Sequence, residues 1–107
     1  MTMSVADLLQ KLPAALNADA AAGTDAVIQF NSSQPHYVTI KGGAATVTAG
    51  SAGSPDVTLT MEDDDLIALM KGELNGMTAF MTGKLQLDGD LMLAQRIGGL
   101  FDPAKLA

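Results

Sequence analysis

One histidine, twelve carboxylates and no cysteine set the chemistry open to this chain. Without cysteine there is no thiolate nucleophile, no disulfide and no thiolate-built zinc site. His36 stands between Pro35 and Tyr37 at the start of an alternating stretch. As a catalytic base or nucleophile it would need a partner to orient it. The sequence offers Asp and Glu only in helix-start and turn contexts, so His36 reads as a structural or surface residue. No Gly-x-Ser-x-Gly elbow is present, and Ser51-Ala52-Gly53-Ser54 has the composition of a loop.

Three further motifs have a chemical look and a plainer reading. Glu62-Asp63-Asp64-Asp65 suggests a metal, but consecutive carboxylates point in different directions around a helix, and a helix start favours negative charge. Asp88-Gly89-Asp90 has the flavour of a calcium loop but lacks the closing Glu of the twelve-residue pattern, so it reads as a turn followed by an N-cap. Gly83-Lys84 is followed by Leu85 and preceded by Gly76, which misses both the spacing and the hydroxyl of a phosphate loop. The sequence therefore predicts no catalytic residue, no metal and no cofactor.

The apolar residues carry more information. Hydrophobic residues make up 48% of the chain, with no Trp, three Phe and seven Met. Met61, Met70, Met77, Met81 and Met92 all fall in the second half. Methionine is flexible and polarizable, and suits adaptable apolar surfaces as well as cores. The formal charge of −6 opposes binding to nucleic acid or to an anionic bilayer. No apolar run approaches the ~20 residues of a membrane helix, and the N-terminus lacks a basic, apolar leader. A cytosolic address is the default expectation, and 107 residues fit one domain spanning 1–107.

The elements that must position these side chains follow from periodicity and punctuation. Ser4 is the expected cap of a helix with Val5, Leu8, Leu9, Leu12 and Leu16 on one face, and Pro13 is placed to kink or end it. Asn17 to Gly23 is a short helix or a loop. Ala26, Ile28 and Phe30 share one strand face, with Val27 and Gln29 on the other. His36–Lys41 and Ala44–Ala49 are strands joined by a Gly42-Gly43 hairpin, which gives a three-stranded meander. Asp56–Met61 is a fourth strand. A helix follows through Leu66, Leu69 and Met70 to Gly72. Asn75 caps another through Met77, Phe80 and Met81, closed by Gly83. Lys84–Asp88 is a fifth strand ended by Gly89, and Asp90 caps a last helix. The fold class is α+β, a five-stranded mostly antiparallel sheet with helices over one face. In the last helix Leu91, Met92, Leu93, Ile97, Leu100 and Phe101 occupy more than one face, so it must bury a second side.

The run from Thr58 to Phe101 resembles the second half of the sterol carrier protein 2 family. The matching pieces are the strand Thr58–Met61, the acidic start Glu62–Asp65, the Leu-rich helix Leu66–Leu74, the Ala79–Leu85 segment and Gly89–Ala94. The resemblance implies a non-catalytic lipid-binding and transfer protein whose sheet and helices enclose an apolar tunnel. It implies ligand contacts from Ile28, Phe30, Leu66, Leu69, Met70, Met77, Phe80, Met81, Leu85, Leu87, Met92, Leu93, Ile97, Leu100 and Phe101. The expected partner is a long-chain lipid, with no nucleic acid, at most transient membrane contact, and a homodimer as an option.

Two departures from the family pattern stand out. Gly98 and Gly99 interrupt the last helix, each at about 1 kcal/mol relative to Ala. The ending Ala104-Lys105-Leu106-Ala107 lacks a terminal Ser-Lys-Leu, so peroxisomal import is unsupported. The rival reading is a protein-interaction module that dimerises through the apolar last helix.

Overall fold

The computed structural model describes residues 5–102 and Lys105; the cap expected at Ser4, and Ala104, Leu106 and Ala107, lie outside the described residues. The chain opens on three short helices, α1 (Val5–Gln10), α2 (Leu12–Ala15) and α3 (Ala18–Ala21). Pro13 does not merely bend one helix. It sits in the first turn of α2, where its missing N–H costs nothing, so the apolar stripe is divided at Lys11. The Asn17 side chain accepts the N–H groups of Asp19 and Ala20, which settles the Ala-rich segment as a helix.

The strands are β1 (Ala26–Asn31), β2 (His36–Lys41), β3 (Ala44–Ala49), β4 (Val57–Thr60) and β5 (Gln86–Gly89), in the spatial order β3-β2-β1-β4-β5. Gly42 and Gly43, at φ +60° and +77°, make the tight turn that joins β2 to β3. The meander β1-β2-β3 is antiparallel, and β5 is antiparallel to β4. The central pair β1–β4 is parallel, so the sheet is mixed.

That parallel pair requires the chain to cross β1 between Gly50 and Asp56, and the crossing is anchored to β1 itself. The Asp56 carboxylate accepts the Val27 N–H at 2.7 Å, and the Asp56 N–H donates to the Val27 carbonyl at 2.8 Å. Gln29 lies under the loop. Its amide nitrogen donates to the carbonyls of Gly50 and His36 and to Asn31 Oδ1, and its oxygen accepts the Ala52 N–H at 2.8 Å. Gln29 is therefore buried on the sheet face opposite the helices, with its polar atoms satisfied.

The helical face of the sheet is set by register. Ile28 lies between Val38 and Val57, Phe30 beside Leu59, and Leu59 beside Leu87. Against this face pack α4 (Asp63–Met70), α5 (Gly76–Met81), α6 (Leu91–Leu100) and the N-terminal helices, through Leu8, Leu9, Leu12, Leu66, Leu93, Ile97 and Leu100, all buried. Despite Gly98 and Gly99, α6 runs unbroken to Leu100. Its end is tied back to the start of the chain: Asn17 N–H donates to the Leu100 carbonyl at 2.7 Å, Asp102 N–H donates to the Ala15 carbonyl at 2.9 Å, and Phe101 bridges Leu16.

Gly89 is the last residue of β5, still paired with Val57. At φ +100° it passes so close to the Asp56 carbonyl that a Cβ would stand 2.5 Å from the oxygen. The fifth strand also starts later than expected, because the Lys84 and Leu85 N–H groups both close the end of α5 on the Ala79 carbonyl.

Candidate ligand-binding site

The acidic and histidine motifs are absorbed by local structure. The Asp63 carboxylate accepts both the hydroxyl and the N–H of Ser33, tying the β1–β2 turn to the start of α4. These two bonds, the hydroxyl first, hold the Asp63 carboxyl below the usual carboxylate range. Asp90 accepts the Met92 and Leu93 N–H groups as the cap of α6. His36 is buried, with Nδ1 2.8 Å from the Gln34 carbonyl. Among the described residues, no three His, Asp or Glu side chains lie together in a way that could hold a metal ion.

The distinctive feature is a cavity of about 580 Å³ between β4, β5 and the helices α4, α5 and α6. That size is within the ordinary range of small-molecule pockets, about 300–1,000 Å³. Its wall is built from residues that each element aims there by its own period. Strands contribute Leu59 and Leu87, one pair across the β4–β5 register. Helix α4 contributes Leu69 and Met70 from its last turn. Its C-terminal extension adds Gly72 and Leu74, which continue from the Lys71 cap. Helix α5 presents Gly76, Met77 and Phe80, spaced as one helical face, and Leu85 follows it. Helix α6 presents Leu91, Ala94, Gln95 and Ile97, and its C-cap residue Phe101 completes the wall.

Of the ligand contacts expected from sequence, Leu69, Met70, Met77, Phe80, Leu85, Leu87, Ile97 and Phe101 come together on this wall. The structure places the others elsewhere. Ile28, Phe30, Leu66, Leu93 and Leu100 are buried in the core beside the cavity and not on its wall. Met81 and Met92 point outward, 77% and 70% exposed. Leu59, Leu74, Leu91, Ala94 and Gln95 line the cavity without having been expected to. For Leu91, Ala94 and Gln95 the spacing i, i+3, i+4 marks a shared face; on so apolar a helix, periodicity does not say which face looks into a cavity and which into the core.

The cavity rim is apolar. Met77, Phe80 and Leu91 are each about half exposed while lining the wall, so the cavity communicates with the surface through them. No helix among the described residues is long and apolar enough to cross a membrane.

Comparison with known proteins agrees with this architecture. Residues 2–102 match the model of the SCP-2 sterol transfer family. Sterol carrier protein 2 of Bos taurus is 43% identical over 63 residues, which cover 59% of this chain and 12% of that protein. The chain spans between 10% and 15% of the length of the first curated relatives it matches. The apo form of sterol carrier protein 2 from Yarrowia lipolytica superposes with a TM-score of 0.75 at 28% identity, covering 92% of this chain and 90% of that one. The solution structure of palmitated SCP2L2 from Aedes aegypti gives a TM-score of 0.67 at 25% identity, covering 91% and 93%.

Proposed function

The chain belongs to the SCP-2 sterol transfer family, and from that premise we propose that it is a non-catalytic carrier of a long-chain lipid held in the cavity between β4, β5 and α4–α6. The observation that supports this most directly is the cavity itself: about 580 Å³, walled almost wholly by aliphatic side chains, methionine and phenylalanine. Burying an alkyl chain there gains about 0.8 kcal/mol per methylene, which outweighs the cost of ordering the chain within a few turns of its length. The palmitated mosquito relative holds a ligand of this kind on a similar fold.

Mass spectrometry of organic extracts of the purified protein, together with displacement of a fluorescent fatty acid, tests the reading. Co-purified lipid and displacement at micromolar concentration are expected. Absence of both overturns it.

A second reading, dimerisation through α5 and α6, draws support from the exposed Met77, Phe80, Met81, Leu91 and Met92. Leu100 and Phe101 are buried and so unsuitable as probes of a surface. Met81→Ser with Met92→Ser removes exposed apolar surface away from the cavity. A dimer in light scattering that this variant dissociates favours the second reading, and a monomer in both proteins rejects it.

A further inference from the structure

Among the described residues, the large hydrophobic side chains that stand exposed are Met77, Phe80, Met81, Leu91 and Met92, and all lie on α5 or in the first turn of α6. Met77, Phe80 and Leu91 also line the cavity, so this apolar surface is the rim of its mouth. Met81 follows Met77 by one turn of α5 and Met92 follows Leu91, and neither of the two lines the cavity. The opening helices leave no such surface: Val5, Leu8, Leu9 and Leu12 are buried, and Asp7, Gln10 and Lys11 are what they expose.

Charge and area narrow what can cover this rim. Between Met77 and Gln95 the charged residues are Lys84, Asp88 and Asp90, all exposed, and Arg96 is turned away to Thr24 Oγ1 at 2.8 Å. With a net charge of −6 the chain is repelled by an anionic surface. A second copy is repelled for the same reason, since a two-fold contact through the rim sets identical patches face to face. The five side chains together expose roughly 650 Å², short of the ~800 Å² per partner that a stable interface buries. A lipid bilayer asks for no matched shape and no ring of paired hydrogen bonds, and flexible methionine adapts to acyl chains.

We propose that the rim built by α5 and the start of α6 docks on a bilayer of zwitterionic lipid, with Met81 and Met92 in the acyl boundary and the cavity mouth turned toward the membrane. The proposal rests on the carrier reading above for what passes through the mouth. A chain that leaves through water exposes its methylenes one after another, each lowering the population of the exposed state about fourfold. A mouth held against the acyl layer removes that barrier.

The test follows transfer of a pyrene-labelled fatty acid from the protein to phosphatidylcholine vesicles. The rate is expected to rise in proportion to vesicle concentration. Met81→Ser with Met92→Ser is expected to slow transfer about tenfold at a fixed vesicle concentration, and to leave affinity for the probe in solution within about twofold, because neither side chain lines the cavity. Met81→Leu with Met92→Leu is expected to restore the rate. Both positions are exposed, and circular dichroism verifies the fold of each variant. Replacing part of the phosphatidylcholine with phosphatidylserine is expected to slow transfer, more at low salt than at high. A rate independent of vesicle concentration, an unchanged rate in the serine variant, or acceleration by phosphatidylserine overturns the docking while the carrier reading stands. So does a dimer in light scattering that the serine variant dissociates. If the probe does not bind, the carrier reading falls, and flotation of the empty protein with phosphatidylcholine vesicles decides the docking alone: flotation that the serine variant loses upholds it, and absence of flotation overturns it.

Discussion

Ala94→Phe separates a hollow wall from a packed one. Ala94 is partly buried on α6 and faces the cavity of about 580 Å³. A phenyl ring there occupies the space of about six methylenes of ligand, each worth ~0.8 kcal/mol when buried. For an alkyl chain long enough to fill the cavity, the loss is at most ~5 kcal/mol, a few thousand-fold in affinity. A chain that diverts toward the rim keeps roughly half of that. Chains too short to reach Ala94 are unaffected. The empty protein behaves oppositely: filling a void commonly adds about 0.5–2 kcal/mol, against a helix-propensity cost of roughly 0.5 kcal/mol for Phe over Ala. Competition by a homologous series of alkanols, with calorimetry of the unliganded proteins, reads both effects. In the variant, the curve of affinity against chain length levels off about six carbons earlier, and the melting temperature holds or rises. Superimposed curves refute the location of the ligand. A melting temperature lowered by more than about 10 °C refutes the cavity, since overpacking a filled wall would cost that much.

Three other outcomes test the framework that carries this wall. Gln29→Met keeps the volume but strands the Ala52 N–H and the His36 carbonyl; about 2–3 kcal/mol of stability is lost in urea unfolding, and a loss below about 0.5 kcal/mol contradicts the anchoring role. Gly89→Ala forces a Cβ against the Asp56 carbonyl at positive φ, and calorimetry should show a fall of roughly 10–20 °C, corresponding to about 3 kcal/mol. Asp63 has its carboxyl lowered by Ser33, so its contribution is present above the unfolded pKa and is lost as pH falls through the folded one. Stability measured against pH should therefore show Asp63→Asn weaker at neutral pH and converging on the parent in acid; parallel curves would mean that the Ser33 bonds contribute nothing.

The elements were largely legible because their signals are local. Asn75 with Gly83 bracket α5, Asp90 starts α6, and the Gly42-Gly43 turn joins β2 to β3. What escaped the sequence is what depends on partners. A strand alternates in the same way whether its neighbour runs parallel or antiparallel, so nothing in β1 announces its pairing with β4. Gln29 reads as a solvent-side residue because alternation cannot foresee the loop that folds over it. At the cavity the same limit applies to faces. The resemblance points to Met77, Phe80, Met81 and Met92 alike, but only Met77 and Phe80 line the cavity, while Met81 and Met92 stand outside. Gln95 went unnoticed because a lone polar residue on an apolar helix looks like its wet side.

Every side chain on the cavity wall comes from Leu59 or later, while the meander β1-β2-β3 contributes none. The wall and the meander are thus separate in sequence as well as in space. The meander closes through neighbours adjacent in sequence, and the wall is completed only when α6 docks onto β4 and β5. Undocking α6 breaks the wall without breaking a rung of the first three strands, so the container has a cheaper opening than global unfolding. Amide hydrogen exchange would register this as two tiers, fast in α5 and α6 and slow in the meander, with an occupant slowing the fast tier alone. An occupant would leave past Met77, Phe80 and Leu91, where the wall already meets the surface.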